Sequence, residues 1–398
     1  IGDSAFANCQ NLANIIIPES TINIGSLAFA GCADLTSVSI PKNTTSIGDN
    51  SFIDCDNLEE FIVDSDNPSY SSEDGVLFDK NMETLLQCPI GKSGIYTIPT
   101  GVTNIDEYAF YGGSRLESVV IPESITNIET GAFCICRNLT SINIPDSVIN
   151  IKKFAFGYCE NLKSITIPDG VRSIGESAFS GCDRLTDVTI SNGVTSIDNY
   201  AFQDCTSLKS VIIPANVTNI GNYTFENCSS LATATIGNSV TSIGNYAFNE
   251  CTSLTKVTIG NSVTSIGTHA FQDCTSLTAV TIPDSVTSIH YGAFQGCKSL
   301  TSISLSNNLT SISDWMFYDC TNLSNITIPD SVTSIGYSAF YYCTSLTNVT
   351  IPNGVTSIVS AFESCKNLTS VTIPNSVIEI GEFAFYDCPK LDKIDYNG

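Results

Sequence analysis

The chain is poor in histidine, in basic side chains and in long apolar runs. Its 398 residues contain two His, one Trp and 16 Lys or Arg against 40 Asp or Glu, which gives a formal net charge of −24. A chain this acidic repels phosphate backbones and anionic lipid headgroups, so we expect no nucleic-acid binding. No run of about 18 apolar residues is present, so we predict no direct membrane insertion. Two histidines leave little basis for His-centred catalysis or a His-rich metal site.

The sequence contains a motif that repeats at a nearly constant interval. An Ala-Phe dipeptide or a close variant recurs in sixteen copies at a spacing of 23 residues, with two exceptions: Phe52 to Phe110 spans 58 residues and Phe340 to Phe362 spans 22. The repeat Phe residues are Phe6, Phe29, Phe52, Phe110, Phe133, Phe156, Phe179, Phe202, Phe225, Phe248, Phe271, Phe294, Phe317, Phe340, Phe362 and Phe385. Such a period indicates stacked repeats rather than the two or three globular domains that length alone suggests.

Other positions follow the same period. Leu stands six residues after every repeat Phe, and β-branched apolar residues stand nine and eleven after it, as in Val188 and Ile190. The unit reads L-x-x-V-x-I-P-x-x-V-x-x-I-G-x-x-A-F-x-x-C-x-x, which is a leucine-rich-repeat pattern. It resembles the BspA-like, or Treponema-type, leucine-rich repeats of bacterial and protist surface proteins, and the resemblance covers nearly the whole chain.

These positions predict a leucine-rich-repeat solenoid that forms a single domain over residues 1–398. The alternating V-x-I segment places its apolar side chains on one face and stacks into a parallel β-sheet on the concave side, and V-x-x-I adds a second, shorter strand. The x-x-A-F-x-x-C segment is predicted to form a short helical or 3₁₀ turn on the convex side. Because Ile1 and Asn397 fall within a repeat, we expect both ends to be truncated in mid-repeat.

The Gly of the I-G dipeptide is predicted to need a positive φ, as at Gly244 and Gly267. Glycine adopts that conformation without a Cβ penalty. Where a bulkier residue takes its place we expect local distortion, at Glu129, Lys152, His290 and Val359.

The long interval before Phe110 holds an irregular insertion at residues 64–98. Residues 70–78 read as strand, turn, strand, which predicts a β-hairpin, and Leu85 and Leu86 indicate a further strand. Two interpretations remain open, a longer repeat that keeps the stack continuous and a protruding recognition element. The spacing of its aspartates does not match a Ca²⁺ loop.

Fifteen of the 17 cysteines stand three residues after the repeat Phe, in a row that only Gly113 interrupts. We expect free, buried thiols there, because parallel Cβ directions in neighbouring repeats disfavour disulfides. Cys88 and Cys134 lie outside the row and are candidates for exposure. His269 and His290 belong to no Ser-His-Asp or Cys-His arrangement, so we predict no enzyme, no cofactor and no metal site.

Two rows of side chains are candidate partner-binding surfaces. Aromatic residues stand two positions before the repeat Phe, and a ladder of them either contacts a protein, stacks on a sugar or simply covers the stacked turns. Threonines project outward between the apolar residues of V-x-I, as solvated β-formers or as a binding face. The candidate residues are Tyr200, Tyr223, Tyr246, His269 and Trp315 in the first row, and Thr235, Thr258 and Thr281 in the second.

Acidic side chains form a further row two residues after the repeat Phe. They are solvated surface charges, or they bind divalent cations or a basic partner. The row consists of Asp204, Glu250, Asp273, Asp319 and Asp387.

The family resemblance implies a non-enzymatic, extracellular cell-surface protein that adheres to host matrix, host cells or other bacteria. Its partner is then a protein or a glycan, and many weak contacts along the repeats sum to the affinity. A structural spacer and a glycan-binding accessory module are the alternatives. A charged fraction of only 14% and repeats rich in Ser, Thr and Asn fit an exported protein.

Overall fold

The computed structural model describes residues 1–397, and the chain divides into two compact units, Ile1–Leu185 and Thr186–Gly398. Each unit is a β-solenoid in which one repeat forms one coil. A coil has a first strand of two to five residues from V-x-I and a two-residue second strand that ends at the Ile before the turn. The predicted leucine-rich-repeat solenoid and its short second strand are therefore confirmed. The organisation of residues 1–398 as a single domain stays a prediction.

The strands of the first unit alternate between the two kinds, apart from the insertion. The first strands are β2 (Ser37–Ile40), β4 (Glu60–Val63), β8 (Gly94–Thr97), β10 (Leu116–Val120), β12 (Ser141–Asn143) and β14 (Ser164–Ile167). The second strands are β1 (Asn23–Ile24), β3 (Ser46–Ile47), β9 (Asn104–Ile105), β11 (Asn127–Ile128), β13 (Asn150–Ile151) and β15 (Ser173–Ile174). The insertion adds β5 (Tyr70–Glu73), β6 (Val76–Asp79) and β7 (Thr84–Gln87).

The second unit alternates throughout. Its first strands are β16 (Asp187–Ile190), β18 (Ser210–Ile212), β20 (Thr233–Thr235), β22 (Lys256–Thr258), β24 (Ala279–Thr281), β26 (Ser302–Ser304), β28 (Asn325–Ile326), β30 (Asn348–Thr350), β32 (Ser370–Pro374) and β34 (Lys393–Asn397). Its second strands are β17 (Ser196–Ile197), β19 (Asn219–Ile220), β21 (Ser242–Ile243), β23 (Ser265–Ile266), β25 (Ser288–Ile289), β27 (Ser311–Ile312), β29 (Ser334–Ile335), β31 (Ser357–Ile358) and β33 (Glu379–Ile380).

Neighbouring coils pair in parallel, in a register equal to the repeat. On the first strands Val211 pairs with Ala234, and Ala234 pairs with Val257. On the second strands Ile220 pairs with Ile243. Because register and period coincide, equivalent side chains stack in columns along each unit, and the apolar columns form the core.

The repeat Phe forms the central column of that core. Phe248 is fully buried, and its ring lies 5.3 Å from the rings of both Phe225 and Phe271. The Leu six residues later closes the same core, as at Leu254, which is also fully buried. A single repeat buries none of this surface alone, so stability arises from stacking.

The predicted helical or 3₁₀ turn around the repeat Phe is wrong. No helix occurs in residues 1–397, and this segment, which we call the turn segment, is a series of β-turns. Alternate N–H groups of the turn segment form hydrogen bonds to the next coil. The N–H groups of Tyr223, Phe225 and Asn227 donate to its carbonyls at 2.8–2.9 Å. A helix needs consecutive N–H groups for its own carbonyls, so the ladder between coils excludes one.

The positive φ predicted for the I-G glycine is also wrong. Left-handed residues instead occupy the positions two before and two after the repeat Phe, as at Tyr246 (φ 56) and Glu250 (φ 59). At Gly244 the glycine allows a close approach instead, because a Cβ there would lie 2.4 Å from the carbonyl oxygen of Gly221 in the previous coil. The distortion predicted at the bulkier residues, on the ground of φ, is wrong for the same reason, since Glu129, Lys152, His290 and Val359 have no positive φ.

The insertion contains the predicted hairpin and the further strand. β5 and β6 pair antiparallel across a turn at Asp74 and Gly75, and β7 then pairs antiparallel with β6. β7 also pairs in parallel with β9, with Leu85 opposite Ile105. This pairing favours the interpretation as a longer coil that keeps the first unit stacked.

All 17 cysteines are free thiols, and only Cys9 and Cys388 are not buried. The cysteines that stand three residues after the repeat Phe form hydrogen bonds between coils. Cys55 Sγ, for example, donates to the Phe29 carbonyl at 3.2 Å. Burial raises the pKa of Cys55 to about 12. Cys88 and Cys134 are buried as well, so their candidate exposure is wrong.

Candidate interaction surface

The aromatic row predicted from the sequence forms a stack in the second unit. The ring centroids of Tyr200 and Tyr223 lie 4.9 Å apart, and those of Tyr223 and Tyr246 lie 4.8 Å apart, with planes within 6° of parallel. His269 follows at 4.9 Å from Tyr246, tilted by 32°. Four of the five predicted aromatic residues are thus consecutive members of one stack.

Ring contacts continue beyond His269 through residues that the period alone does not align, first edge-on, with the Tyr291 ring at 80° to His269, and then stacked again. Tyr291 lies 5.0 Å from His269 and 5.8 Å from Trp315, so it connects the fifth predicted residue to the others. Trp315 then stacks on Tyr318 at 4.5 Å, and Tyr318 on Tyr341 at 4.8 Å. Tyr342 follows at 6.1 Å. We call the nine residues the aromatic ladder: Tyr200, Tyr223, Tyr246, His269, Tyr291, Trp315, Tyr318, Tyr341 and Tyr342.

Tyr291 was missed because it stands three positions before its repeat Phe instead of two. The usual position is Gly292, which has no ring, and its φ of 60° is the left-handed value of that position. A Cβ on Gly292 would lie 2.5 Å from His269 Nδ1, so the His269 ring already fills this space. The signal in the sequence was a glycine in an aromatic column, with a tyrosine directly before it.

The backbone sets the spacing of the ladder. The N–H groups of Tyr200, Tyr223 and Tyr246 donate to the next coil at 2.8–2.9 Å, and all three residues are left-handed, with φ between 56° and 59°. A left-handed L-residue costs roughly 1–2 kcal/mol. One hydrogen bond, at about 1 kcal/mol net, and one ring contact, at about 0.5–1.5 kcal/mol, offset that cost.

A row of asparagines next to the ladder locks the same coils together. Asn199 Oδ1 accepts from the N–H of Asn222 at 2.7 Å, Asn222 Oδ1 accepts from the N–H of Asn245 at 2.8 Å, and Asn245 Oδ1 accepts from the N–H of Thr268 at 2.8 Å. Each asparagine directly precedes a ladder residue, so the rings are held by bonded backbone on both sides. The ladder is therefore a pre-organised surface.

Stacking covers ring faces within the ladder. Tyr223 is covered on one face by Tyr200 and on the other by Tyr246, and it is half-buried. Tyr291 and Tyr342 are the most exposed members, at 39% and 42%. Burial raises the pKa of the Tyr223, Tyr291 and Tyr318 hydroxyls, so they remain protonated hydrogen-bond donors at neutral pH. Burial lowers the pKa of His269, which favours the neutral imidazole.

A row of polar side chains runs beside the ladder, directly after the repeat Phe. Glu226 accepts from Gln203 Nε2 at 2.8 Å and from Asn249 Nδ2 at 3.1 Å. Burial raises the pKa of Glu226 despite these two bonds. The same column becomes aromatic at Tyr318 and Tyr341, so the ladder moves into it where the polar row ends.

The acidic row makes contacts between coils. Asp204 accepts from Asn227 Nδ2 at 2.8 Å, Asp319 pairs with Lys298 at 3.3 Å, and Asp387 pairs with Lys366. In the part of the chain that the structure describes, no group of three or more His, Cys, Asp or Glu side chains is placed to hold a metal ion. Nor does any helix in residues 1–397 have the length and apolar character to cross a membrane.

The predicted threonines form a separate row on the first strands. Thr235 pairs with Thr258 in the parallel register, and Thr281 pairs with Ser304. All three threonines are exposed. The first strands and the turn segments are different parts of each coil, so the structure does not bring the threonines and the ladder together into one site.

Comparison with known proteins identifies the repeat. A model of the BspA type leucine rich repeat region matches six copies, over residues 1–85, 92–205, 173–301 and 340–398. A leucine-rich repeat protein from Bacteroides ovatus is 27% identical, with a TM-score of 0.70 over 90% of this chain and 86% of that chain. A leucine rich cell surface protein from Faecalibacterium prausnitzii is also 27% identical, with a TM-score of 0.39 over 100% and 83%. No curated protein sequence matches the chain.

Proposed function

Because the chain belongs to the BspA type leucine rich repeat family, we propose that it is a non-enzymatic binding scaffold of the cell surface that contacts a protein partner through the aromatic ladder. The observation that carries this proposal is the contact sequence of nine rings between Tyr200 and Tyr342 on one unit. The extracellular location rests on the family and on a charged fraction of 14%.

Tyrosine and tryptophan suit the centre of a protein interface. They supply a large contact area, lose little side-chain entropy on binding, and offer a hydroxyl or indole N–H to the partner. In the ladder this entropy is already lost, since each ring is held by its neighbours. Weak contacts repeated along the row therefore sum with a small ordering cost.

The geometry of the ladder favours a protein partner over a glycan. Stacking of a sugar requires an exposed ring face, and both faces of Tyr223 are covered, by Tyr200 at 4.9 Å and by Tyr246 at 4.8 Å. What remains accessible at Tyr223 is the ring edge and the hydroxyl group. Acidic side chains two residues after the repeat Phe, such as Glu250, add a negative border that suits a partner with basic side chains.

The test is adhesion of the full chain to immobilised extracellular-matrix proteins, and to a glycan array in parallel. We expect saturable binding to a matrix protein that is lost in the double variant Tyr223→Ser, Tyr246→Ser. The matched control is Tyr158→Ser, which removes an exposed tyrosine (46%) that has no ring partner among residues 1–397. Circular dichroism and the unfolding midpoint check that the variants are folded.

Each result has one meaning for the proposal. Binding that the double variant retains contradicts a role for the ladder. Saturable binding to sugars alone supports the glycan-binding alternative and contradicts the proposal. If the chain binds neither array, and cell adhesion depends only on the number of coils, the chain is a spacer.

A further inference from the structure

The insertion leaves one coil of the first unit with a shortened turn segment. Leu85 pairs with Ile105. The N–H of Cys88 donates to the Ala109 carbonyl at 2.7 Å, a bond that a repeat Phe makes in a regular coil, so Cys88 takes the place of a repeat Phe. Cys88 stands three positions after Leu85, whereas Phe110 stands five positions after Ile105. The shortened segment therefore cannot cover the full edge of the coils on either side of it.

The uncovered edges carry unpaired backbone groups. In a regular coil the alternate N–H groups donate to the next coil, but within residues 1–397 the N–H groups of Asn50, Phe52 and Asp54 make no hydrogen bond. On the opposite edge, and over the same residues, the carbonyls of Glu107 and Tyr111 accept none. Phe52 is fully buried, so its N–H has neither a protein partner nor open solvent. Unpaired buried backbone groups are rare in native proteins, because such a group gives up its hydrogen bond to water and gains none in return.

A cleft of about 350 Å³ lies between these two edges. Its walls are the turn segments on either side, including Asn50 on one and Tyr108 on the other, and Leu86 and Ile90 of the insertion also line it. This volume falls within the range of about 300–1,000 Å³ that is usual for ligand sites. All of the lining residues belong to the first unit, so the cleft is independent of the aromatic ladder.

The charged side chains that line the cleft are all acidic. Its lining includes Asp49, Asp106 and Glu107, and it includes no Lys, Arg or His. Asp106 Oδ1 accepts from the N–H of Glu107 at 2.9 Å, and the structure gives the carboxylates of Asp49 and Glu107 no cationic partner among residues 1–397. An occupant with a positive charge is therefore favoured.

We propose that this cleft binds an extended peptide segment of a protein partner that carries a lysine or arginine side chain. A carbonyl of the segment accepts from the N–H of Asn50, its N–H groups donate to the carbonyls of Glu107 and Tyr111, and its cationic side chain meets the carboxylates; all of these residues line the cleft. Donors and acceptors at alternate residues match the main chain of a strand, which is the recognition mode of strand addition. The bound segment supplies the part of the ladder that the shortened turn segment lacks.

The first test measures binding of defined peptides to the full chain by fluorescence polarisation at 150 mM salt. The probe is a labelled, capped hexapeptide of alternating lysine and threonine, and we expect saturable binding. A peptide with glutamate for lysine is expected to bind at least about tenfold more weakly. N-methylation of one set of alternate amides is expected to weaken binding to the same degree, and N-methylation of the other set to leave it nearly unchanged, because only one set faces Glu107 and Tyr111.

Variants of the chain locate the site. The double variant Asp49→Asn, Glu107→Gln is expected to bind about tenfold more weakly, and Leu86→Trp, which fills the cleft, is expected to abolish binding. The matched control is Glu123→Gln, an exposed carboxylate outside the cleft. Equal loss in the control, equal effects of the two N-methylated peptides, or no saturable binding overturns the proposal.

Hydrogen exchange gives a readout that does not depend on any variant. On addition of the lysine peptide, the amide of Asn50 is expected to exchange more slowly, because it acquires an acceptor. The amides of Leu27 and Phe29, which already donate to the next coil, serve as the internal control and are expected to be unchanged. Unchanged exchange at Asn50 in the presence of bound peptide overturns the proposal.

Discussion

The rings of Tyr223 and Tyr246 lie face to face, with centroids 4.8 Å apart and planes within 3° of parallel. Their α-carbons are one repeat apart, and the N–H of Tyr223 donates to the carbonyl of Asn245, the residue before Tyr246. Ring spacing thus follows from the hydrogen-bonded spacing of the coils, about 4.8 Å. A tyrosine at this position is already held in one rotamer by its neighbour. We therefore expect a partner to bind it with a small loss of side-chain entropy.

Protonation of His269 is expected to weaken the ladder. Burial lowers its pKa below the ordinary value of 6.5, so the stability that this residue contributes is present above pH 6.5 and is lost as the pH falls through the folded-state pKa. The urea midpoint of the native chain should therefore fall more between pH 7 and pH 5 than that of His269→Phe, which keeps a ring and cannot titrate. Equal pH dependence of the two proteins would contradict this account.

Replacing Gly244 by alanine is expected to destabilise the second unit by about 1–3 kcal/mol. The added Cβ would lie 2.4 Å from a backbone oxygen of the previous coil, and backbone cannot move aside cheaply. Gly101→Ala is the matched control, because a Cβ there meets nothing within 4 Å, and we expect a change within about 0.5 kcal/mol. The free energy of unfolding in urea measures both, and equal effects would show that close approach is not the reason for the glycine.

Removing one core ring is expected to cost about 3–5 kcal/mol. Phe248→Ala leaves a cavity between Phe225 and Phe271, whose rings lie 5.3 Å on either side and are fixed by their own coils. Tyr337→Ala is the surface control, since Tyr337 is 52% exposed. Urea unfolding gives both values, and hydrogen exchange should show the loss of protection concentrated in the coils next to Phe248, because each coil contacts only its neighbours.

Native thiols are expected to be nearly inert. At pH 8 a thiol reagent such as dithiobis-nitrobenzoate should modify only Cys9 and Cys388, and it should reach all 17 cysteines after denaturation. Rapid modification of more than two thiols in the folded chain would show that the core column opens readily.

The buried thiols also predict alkaline instability. Burial raises the pKa of Cys55 from 9.0 to about 12, so its contribution to stability is complete below pH 9 and is lost as the pH rises towards 12. The unfolding midpoint should fall over this window, and the fall should be smaller in Cys55→Ala. An identical pH dependence in that variant would contradict a role for the thiol.

Much of this architecture was readable from the order of residues. A repeat of 23 residues with Leu, Val, Ile and Phe at constant positions predicts a solenoid, because one such unit cannot bury its own apolar face. Stacking in register follows directly, and it brings Tyr200, Tyr223, Tyr246 and His269 together. The sequence alone therefore predicts that these four residues are neighbours.

Other features depend on how backbones approach one another in space, which periodicity does not encode. The segment around Phe225 forms a series of turns and not a helix, because its alternate N–H groups donate to carbonyls of the next coil. Tyr291 joins the ladder from an unexpected position because the His269 ring fills the space beside Gly292. The cleft beside Asn50 exists because Cys88 takes the place of a repeat Phe three residues after Leu85, and that alignment is visible only once the strands are paired.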